Sequence, residues 1–265
     1  MKRWLTALIG VPAVCLILIF GNYYLMSLVI GIIAIMCMHE YFSAFKEIAN
    51  PMRVIGYISC IFIFILPFLK QECIGEIFQV LLAAILLILF TMQVFGKKNR
   101  DIKDVTITFL GIVYIVFTLS FVPRIHAMEQ GKIFIFMFFF AVWFSDGFAY
   151  IIGRHFGKHH FTSISPKKTI EGSVGGIIGA IVTNLIFVIV CNLCFSMNLS
   201  YIYTILISIV LSIIGQIGDL AASSIKRYTN KKDFSNLIPG HGGILDRFDS
   251  VLLAAPFAYI LFQLL

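Results

Sequence analysis

The sequence predicts an all-α, polytopic integral membrane protein. Three observations carry that expectation: 60% of the 265 residues are hydrophobic, only 12% are charged, and the mean hydropathy is +0.99. A chain of this kind cannot fold as a water-soluble globule. Disordered, collagen-like and disulfide-stapled secreted classes need different compositions and are excluded with it. Nucleic acid is not expected as a partner, although the net charge is +7, because a basic excess in a membrane protein reports which loops face the cytoplasm.

A span needs about 20 apolar residues. The apolar runs divide at charged or turn-forming clusters into nine, at about 4–20, 23–38, 54–69, 77–95, 105–122, 133–153, 174–195, 201–219 and 249–264. Gly21 and Asn22 separate the first two, so residues 4–38 read as a tight hairpin. Lys2 and Arg3 before an apolar stretch imitate a signal peptide, but no small-residue cleavage pattern follows, and the segment is kept as a helix. With the N-terminus inside and nine spans, 17 of the 20 Lys and Arg fall in cytoplasmic segments. Only Lys70, Arg124 and Lys132 fall outside, which supports a cytoplasmic N-terminus and an external C-terminus. The expected organisation is a membrane bundle over 1–132, holding spans 1–5, and a catalytic region over 133–265, holding spans 6–9 with cytoplasmic loops 154–173 and 220–248.

The six cysteines lie mostly in apolar runs, where a thiol acts as a small hydrophobe. Cys191 and Cys194 form a C-x-x-C without a second pair or a neighbouring His, which argues against metal or redox chemistry. His155, His159 and His160 read as part of an exposed basic loop.

Acids inside a membrane are functional candidates, because a charge at a helix centre costs roughly 2.5–3.5 kcal/mol on insertion scales. Asp146 lies in the sixth span, Asp219 ends the eighth and Asp249 opens the ninth; His39 and Glu40 end the second. All fall toward the cytoplasmic side in the expected topology. Asp246 and Asp249 are one helical turn apart. With Asp219 they offer hard oxygen ligands for Mg²⁺ or Mn²⁺, or else they pair with Arg247, Lys226 or Arg227 at a helix end. The stretch between them favours the first reading. Lys226, Arg227, Lys231 and Lys232 can neutralise phosphates, and Gly240, Gly242 and Gly243 let backbone N–H groups approach an anion. Acids for a metal beside bases for phosphate suit phosphoryl or nucleotidyl transfer. The loop 154–173 repeats the theme with Ser165, Lys167, Lys168 and Thr169 leading into Gly172, Gly175, Gly176 and Gly179. Those glycines serve a phosphate cradle, close helix packing or both, and the G-x-x-x-G from Gly175 to Gly179 would also permit a homodimer contact.

Ser223, Lys226, Arg227, Lys232, Asp233, Ser235, Ile238, Pro239, His241, Gly242, Gly243, Asp246, Arg247 and Asp249 stand at the spacings of a long gapped signature. The stretch resembles that of the phosphatidate cytidylyltransferase (CDP-diacylglycerol synthase) family. S-D-G-F-A-Y-I-I-G-R-H-F-G-K from Ser145, S-P-K-K-T-I-E-G from Ser165 and G-Q-I-G-D at 215–219 extend the likeness over the C-terminal half. The resemblance implies transfer of CMP from CTP to phosphatidate, with a divalent metal, Mg²⁺ or Mn²⁺. It makes Asp219 and Asp246 the leading metal ligands and Asp249 a third. The catalytic set is then Asp219, Asp246, Asp249 and Lys226. Substrate contacts are expected from Lys167, Lys168, Ser223, Lys226, Arg227, Lys232, His241, Gly242, Gly243 and Arg247. CTP, phosphatidate and membrane lipids are the expected partners, and a bacterial inner membrane with a cytoplasmic site is the expected location.

A CDP-alcohol phosphotransferase is partly echoed at Asp146 to Phe148, but Tyr150 follows Ala149 and no Asp lies between Asp146 and Asp219. A CTP-dependent polyprenol kinase would use the same nucleotide. A transporter relaying cations through Asp146 and Asp219 would leave the basic loop 220–248 without a purpose.

Overall fold

The computed structural model describes residues 15–96, 100–160, 162–237 and 242–264. The beginning of the first expected span, Lys97, Lys98 and His241 lie outside them. Among the described residues the chain is helical and has no strand; one antiparallel bridge joins His160 and Thr169. Residues 15–20 are helical, and the break falls at Gly21 and Asn22, as the hairpin reading expects. Helix α1 (Tyr23–Ala44) starts there because the Asn22 side chain accepts from Leu25 N at 2.9 Å. Next come α2 (Arg53–Ile65), α3 (Ile74–Val94) and α4 (Ile102–His126). Helix α4 is opened by a reciprocal capping box between Asp101 and Asp104. Then follow α5 (Gly131–Phe156), α6 (Ile170–Phe195), α7 (Tyr201–Tyr228) and α8 (Leu245–Gln263).

Six of these are long and apolar enough to cross a membrane: α1, α4, α5, α6, α7 and the stretch Gln71–Val94 containing α3. The chain is therefore an all-α membrane protein. Val80 and Leu87 on α3 are 70% and 69% exposed, a lipid-facing apolar surface that water would not tolerate. The remaining expected spans differ for stated reasons. Arg53–Phe68 is a shorter apolar helix, the first span runs into residues outside those described, and α8 carries Asp246, Arg247 and Asp249 in its opening turns.

The chain divides into two compact units, one of residues 1–123 with 228–247, the other of 124–227 with 248–265. The expected division at 132/133 follows where the motifs lie, whereas these units follow packing. In the first unit the core forms around Met38, Tyr41, Phe42, Ile63, Leu66, Ile112, Ile115 and Leu119, all fully buried. Tyr41 donates to Ile107 O at 3.2 Å. Segment 228–247 returns to the C-terminal end of α1, where Tyr228 meets the Phe45 ring and Lys231 Nζ donates to Ser43 O at 2.9 Å.

In the second unit the C-terminal part of α5 lies along α6. The glycines of α6 allow this: a Cβ on Gly172 would stand 2.7 Å from Ala149 O, and one on Gly176 2.8 Å from Ser145 O. Gly175 and Gly179 meet Ile152 and Phe148 just as closely. Close packing, one of the two roles expected of this cluster, is present, and Gly172 also lines a cavity with Lys167 and Lys168. The same contacts bury Gly175 and Gly179 against α5. Both α4 and α5 contain a π-helical turn, at Ile112–Phe117 and Phe140–Phe144; the second directly precedes Ser145 and Asp146.

Candidate active site

The second unit gathers three carboxylates. Asp146 comes from α5, Asp219 from α7 and Asp249 from α8. Asp249 is buried, repelled by Asp219 and Asp146 and attracted by Lys226. Ser250 ties two of the acids together: its hydroxyl donates to Asp146 Oδ2 at 2.6 Å and its N–H to Asp249 Oδ1 at 2.8 Å. The helices can approach because Gly218 is bare, a Cβ there standing 2.8 Å from Asp249 O.

Lys168 reaches this cluster from the loop before α6. The turn at Ser165, closed by Lys168 N donating to Ser165 O, leads into Thr169, whose hydroxyl caps α6 by accepting from Gly172 N at 3.1 Å. Glu171 holds the preceding strand of loop by accepting from Lys158 N and His159 N. So placed, Lys168 Nζ lies 2.7 Å from Asp219 Oδ2 and donates to Gln216 O at 3.3 Å. Its neighbour Lys167 is exposed. A cavity of about 230 Å³ opens here, lined among others by Asp146, Ser165, Lys167, Lys168, Ser173 and Asp219.

Beneath it is a polar node that sequence reasoning did not assign. The Gln216 Oε1 accepts from the Ser173 hydroxyl, and its Nε2 lies 3.2 Å from both Ser173 O and Ser212 Oγ. Ser212 Oγ is 2.7 Å from Ser145 Oγ. Three helices are thereby pinned in register around the acids. The signal was a lone amide in an apolar run, G-Q-I-G-D, since a buried amide must find partners.

The expected loop 220–248 is helical as far as Tyr228, so Ser223, Lys226 and Arg227 stand on α7; Lys226 is buried, while Arg227 is exposed and donates to Ile164 O at 3.3 Å, tying α7 to the loop 154–173. Ser223 Oγ is 3.5 Å from Asp219 Oδ1. His155 and His159 have separate partners, Ile151 O and Glu171. The cysteines are free thiols.

The signature loop belongs to the first unit. Asp246 Oδ2 accepts from Phe234 N at 2.9 Å and Gly243 N at 3.0 Å, which ties Phe234 and Gly243 to one carboxylate. Gly242 has φ +83°, a conformation that side chains rarely adopt. Lys232 and Arg247 are exposed. Glu40, given no role by sequence reasoning, proves to be the carboxylate that Ser235, Ile244 and Leu245 bond.

No three His, Cys, Asp or Glu side chains among the described residues are drawn together as a formed metal centre. Asp146, Asp219 and Asp249 are within electrostatic range of one another rather than closed on one point. Their chemistry nonetheless fits a hard divalent cation: three carboxyl groups, hard oxygen donors, stand near Lys168 and Lys226.

Comparison with known proteins matches residues 1–265 to the profile of the cytidylyltransferase family. The chain belongs to that family. Relatives include the phosphatidate cytidylyltransferase of Bacillus subtilis, 37% identical over 210 residues, covering 77% of this chain and 76% of that protein. Those of Staphylococcus saprophyticus and Staphylococcus aureus are 34% and 32% identical, each covering 98% of this chain and 97% of theirs. Family membership extends over the N-terminal helices, where the sequence offered only apolar runs and His39, Glu40 and Tyr41.

Proposed function

We propose that the protein is a CTP:phosphatidate cytidylyltransferase, a nucleotidyltransferase forming CDP-diacylglycerol and pyrophosphate. Family membership supports the reaction class, and the names of the relatives support the substrates. The observation that carries the reading on this chain is the cluster of Asp146, Asp219 and Asp249 faced by Lys168 and Lys226 beside an open cavity.

The chemistry asks little of a general base. A phosphomonoester has its second pKa at about 6, so the lipid phosphate is largely dianionic near neutrality. One of its oxygens bonds to the CTP α-phosphorus as the bond from that phosphorus to the β-bridging oxygen breaks, and pyrophosphate leaves with the electron pair. The task is to hold two polyanions in line and offset charge. Lys168 and Lys167 line the cavity and would meet phosphate there. Lys226 and Arg227 follow on α7, and Ser223 adds a hydroxyl. The second set, Lys232, His241, Gly242, Gly243 and Arg247, is assigned to phosphate contact from the signature.

A divalent cation, Mg²⁺ or Mn²⁺, held by Asp219 and Asp249, with Asp246 carried as a ligand by the resemblance, would neutralise charge on the α-phosphate and pyrophosphate. In the reading we favour the chain spans the membrane nine times with a cytoplasmic N-terminus, in a bacterial inner membrane. The site then faces the cytoplasm, where CTP is found, a placement supported by the bias of Lys and Arg.

The test is purified full-length protein with CTP labelled at the α-phosphate, phosphatidate and Mg²⁺. Label should enter the lipid with matching pyrophosphate, and Asp219→Asn should reduce turnover at least about 10²-fold. Label absent from lipid in folded protein would reject the reading; a lipid carrying phosphate without cytidine would mean a kinase.

A further inference from the structure

Glu40 is the one charged residue in α1, and only 3% of it is exposed. A carboxylate so placed is costly unless donors surround it. Its donors come from about two hundred residues further along the chain. Ile244 N donates to Oε1 at 3.0 Å, Leu245 N to Oε2 at 2.7 Å, and the Ser235 hydroxyl to Oε1 at 2.5 Å. The two amides are that of the residue just before α8 and that of its first residue, so Glu40 serves as the remote cap of that helix and accepts where its N-terminus favours negative charge. Gly243 lies against the same carboxylate: a Cβ there would stand 2.7 Å from Glu40 Cδ. A side chain at the second glycine of H-G-G would therefore displace the Glu40 carboxylate.

These contacts bracket Asp246. One side of the loop is held by Ser235, the other by Ile244 and Leu245, and Asp246 itself bonds Phe234 N and Gly243 N between them. We propose that Glu40 is a positioning residue for this reaction, fixing the loop 242–246 and the first turn of α8 through their backbone amides without touching substrate. For its effect on turnover the proposal rests on the cytidylyltransferase reading; for its effect on the loop it does not.

The test compares wild type with Glu40→Gln, Glu40→Asp and Ser235→Ala as full-length protein in detergent, measuring amide hydrogen exchange by peptide and steady-state kinetics. Glutamine keeps the shape but presents an NH₂ group to an amide donor. Exchange over 242–247 is expected to rise about tenfold or more in Glu40→Gln while peptides from Ile170–Phe195 keep wild-type rates. A misplaced loop should lower kcat by about 10²-fold, with KM for phosphatidate little changed. Aspartate, which retains the charge, should recover part of kcat, and Ser235→Ala should lose less than Glu40→Gln. Wild-type exchange at 242–247, or faster exchange everywhere with a lowered thermal midpoint, would overturn the proposal. So would a kcat within twofold of wild type. If wild-type protein itself made no CDP-diacylglycerol, the functional reading would fail while the exchange measurement still decided the contact.

Discussion

Asp249 shows how a single side chain can serve chemistry at the expense of stability. It is buried beside two like charges, Asp219 and Asp146, with Lys226 as the attracting partner. Replacing it with asparagine keeps an acceptor for Ser250 N but removes the repulsion. Asp249→Asn is therefore expected to raise the thermal midpoint by about 2–4 °C, the shift that roughly 1 kcal/mol produces in a chain of this size. It should also lower turnover at least about 10²-fold. Thermal unfolding in detergent, read beside the CTP assay, checks both; a lowered midpoint would mean that the carboxylate is a structural partner of Lys226. At this scale the acids of the second unit were legible, because an ionised group in an apolar run is conspicuous. Ser250 and Gln216 were not, since a serine or an amide acquires meaning only from what stands opposite it.

Helix α6 carries its function in what it lacks. Gly172 and Gly176 bring its backbone against carbonyls of α5, and that approach sets where Thr169 caps the helix and hence where Lys168 points. Gly172→Val should destabilise the protein by about 1–3 kcal/mol, because the obstacle is the Ala149 carbonyl and backbone cannot rotate away. Gly75→Ala on α3 meets nothing within 4 Å. It should be neutral or stabilising by up to about 1 kcal/mol, from helix propensity alone. Thermal midpoints of the two variants give the contrast, and equal effects would show that the α5–α6 contact is looser than described. The glycine spacing was visible in the sequence with two explanations attached. Establishing the helix seam required knowing which helix lies opposite.

For the whole molecule, orientation is the open physical question that charge already answers in outline. With 17 of 20 basic residues on one side of the nine-span reading, single cysteines at positions 46 and 158, in a background freed of the native thiols, should resist a membrane-impermeant maleimide in intact cells. Cysteines at 70 and 132 should react. The opposite pattern would invert the topology and place the acids away from cytosolic CTP.

Composition, apolar run length and charge bias are properties of the chain read in order, and they determined the class of protein, the approximate place of most helices and the acids worth testing, while α7 runs on to Tyr228 rather than ending at 219. The gapped signature determined the family. What the tertiary structure alone decided was partnership: Glu40 with the amides of α8, Lys168 with Asp219, Asp146 with Ser250, and four glycines of α6 with the helix beside them. Each joins residues distant in sequence, and in hydrocarbon such pairings are enforced by the cost of leaving a polar group without a partner. That cost says that a partner exists, and only the folded chain says which.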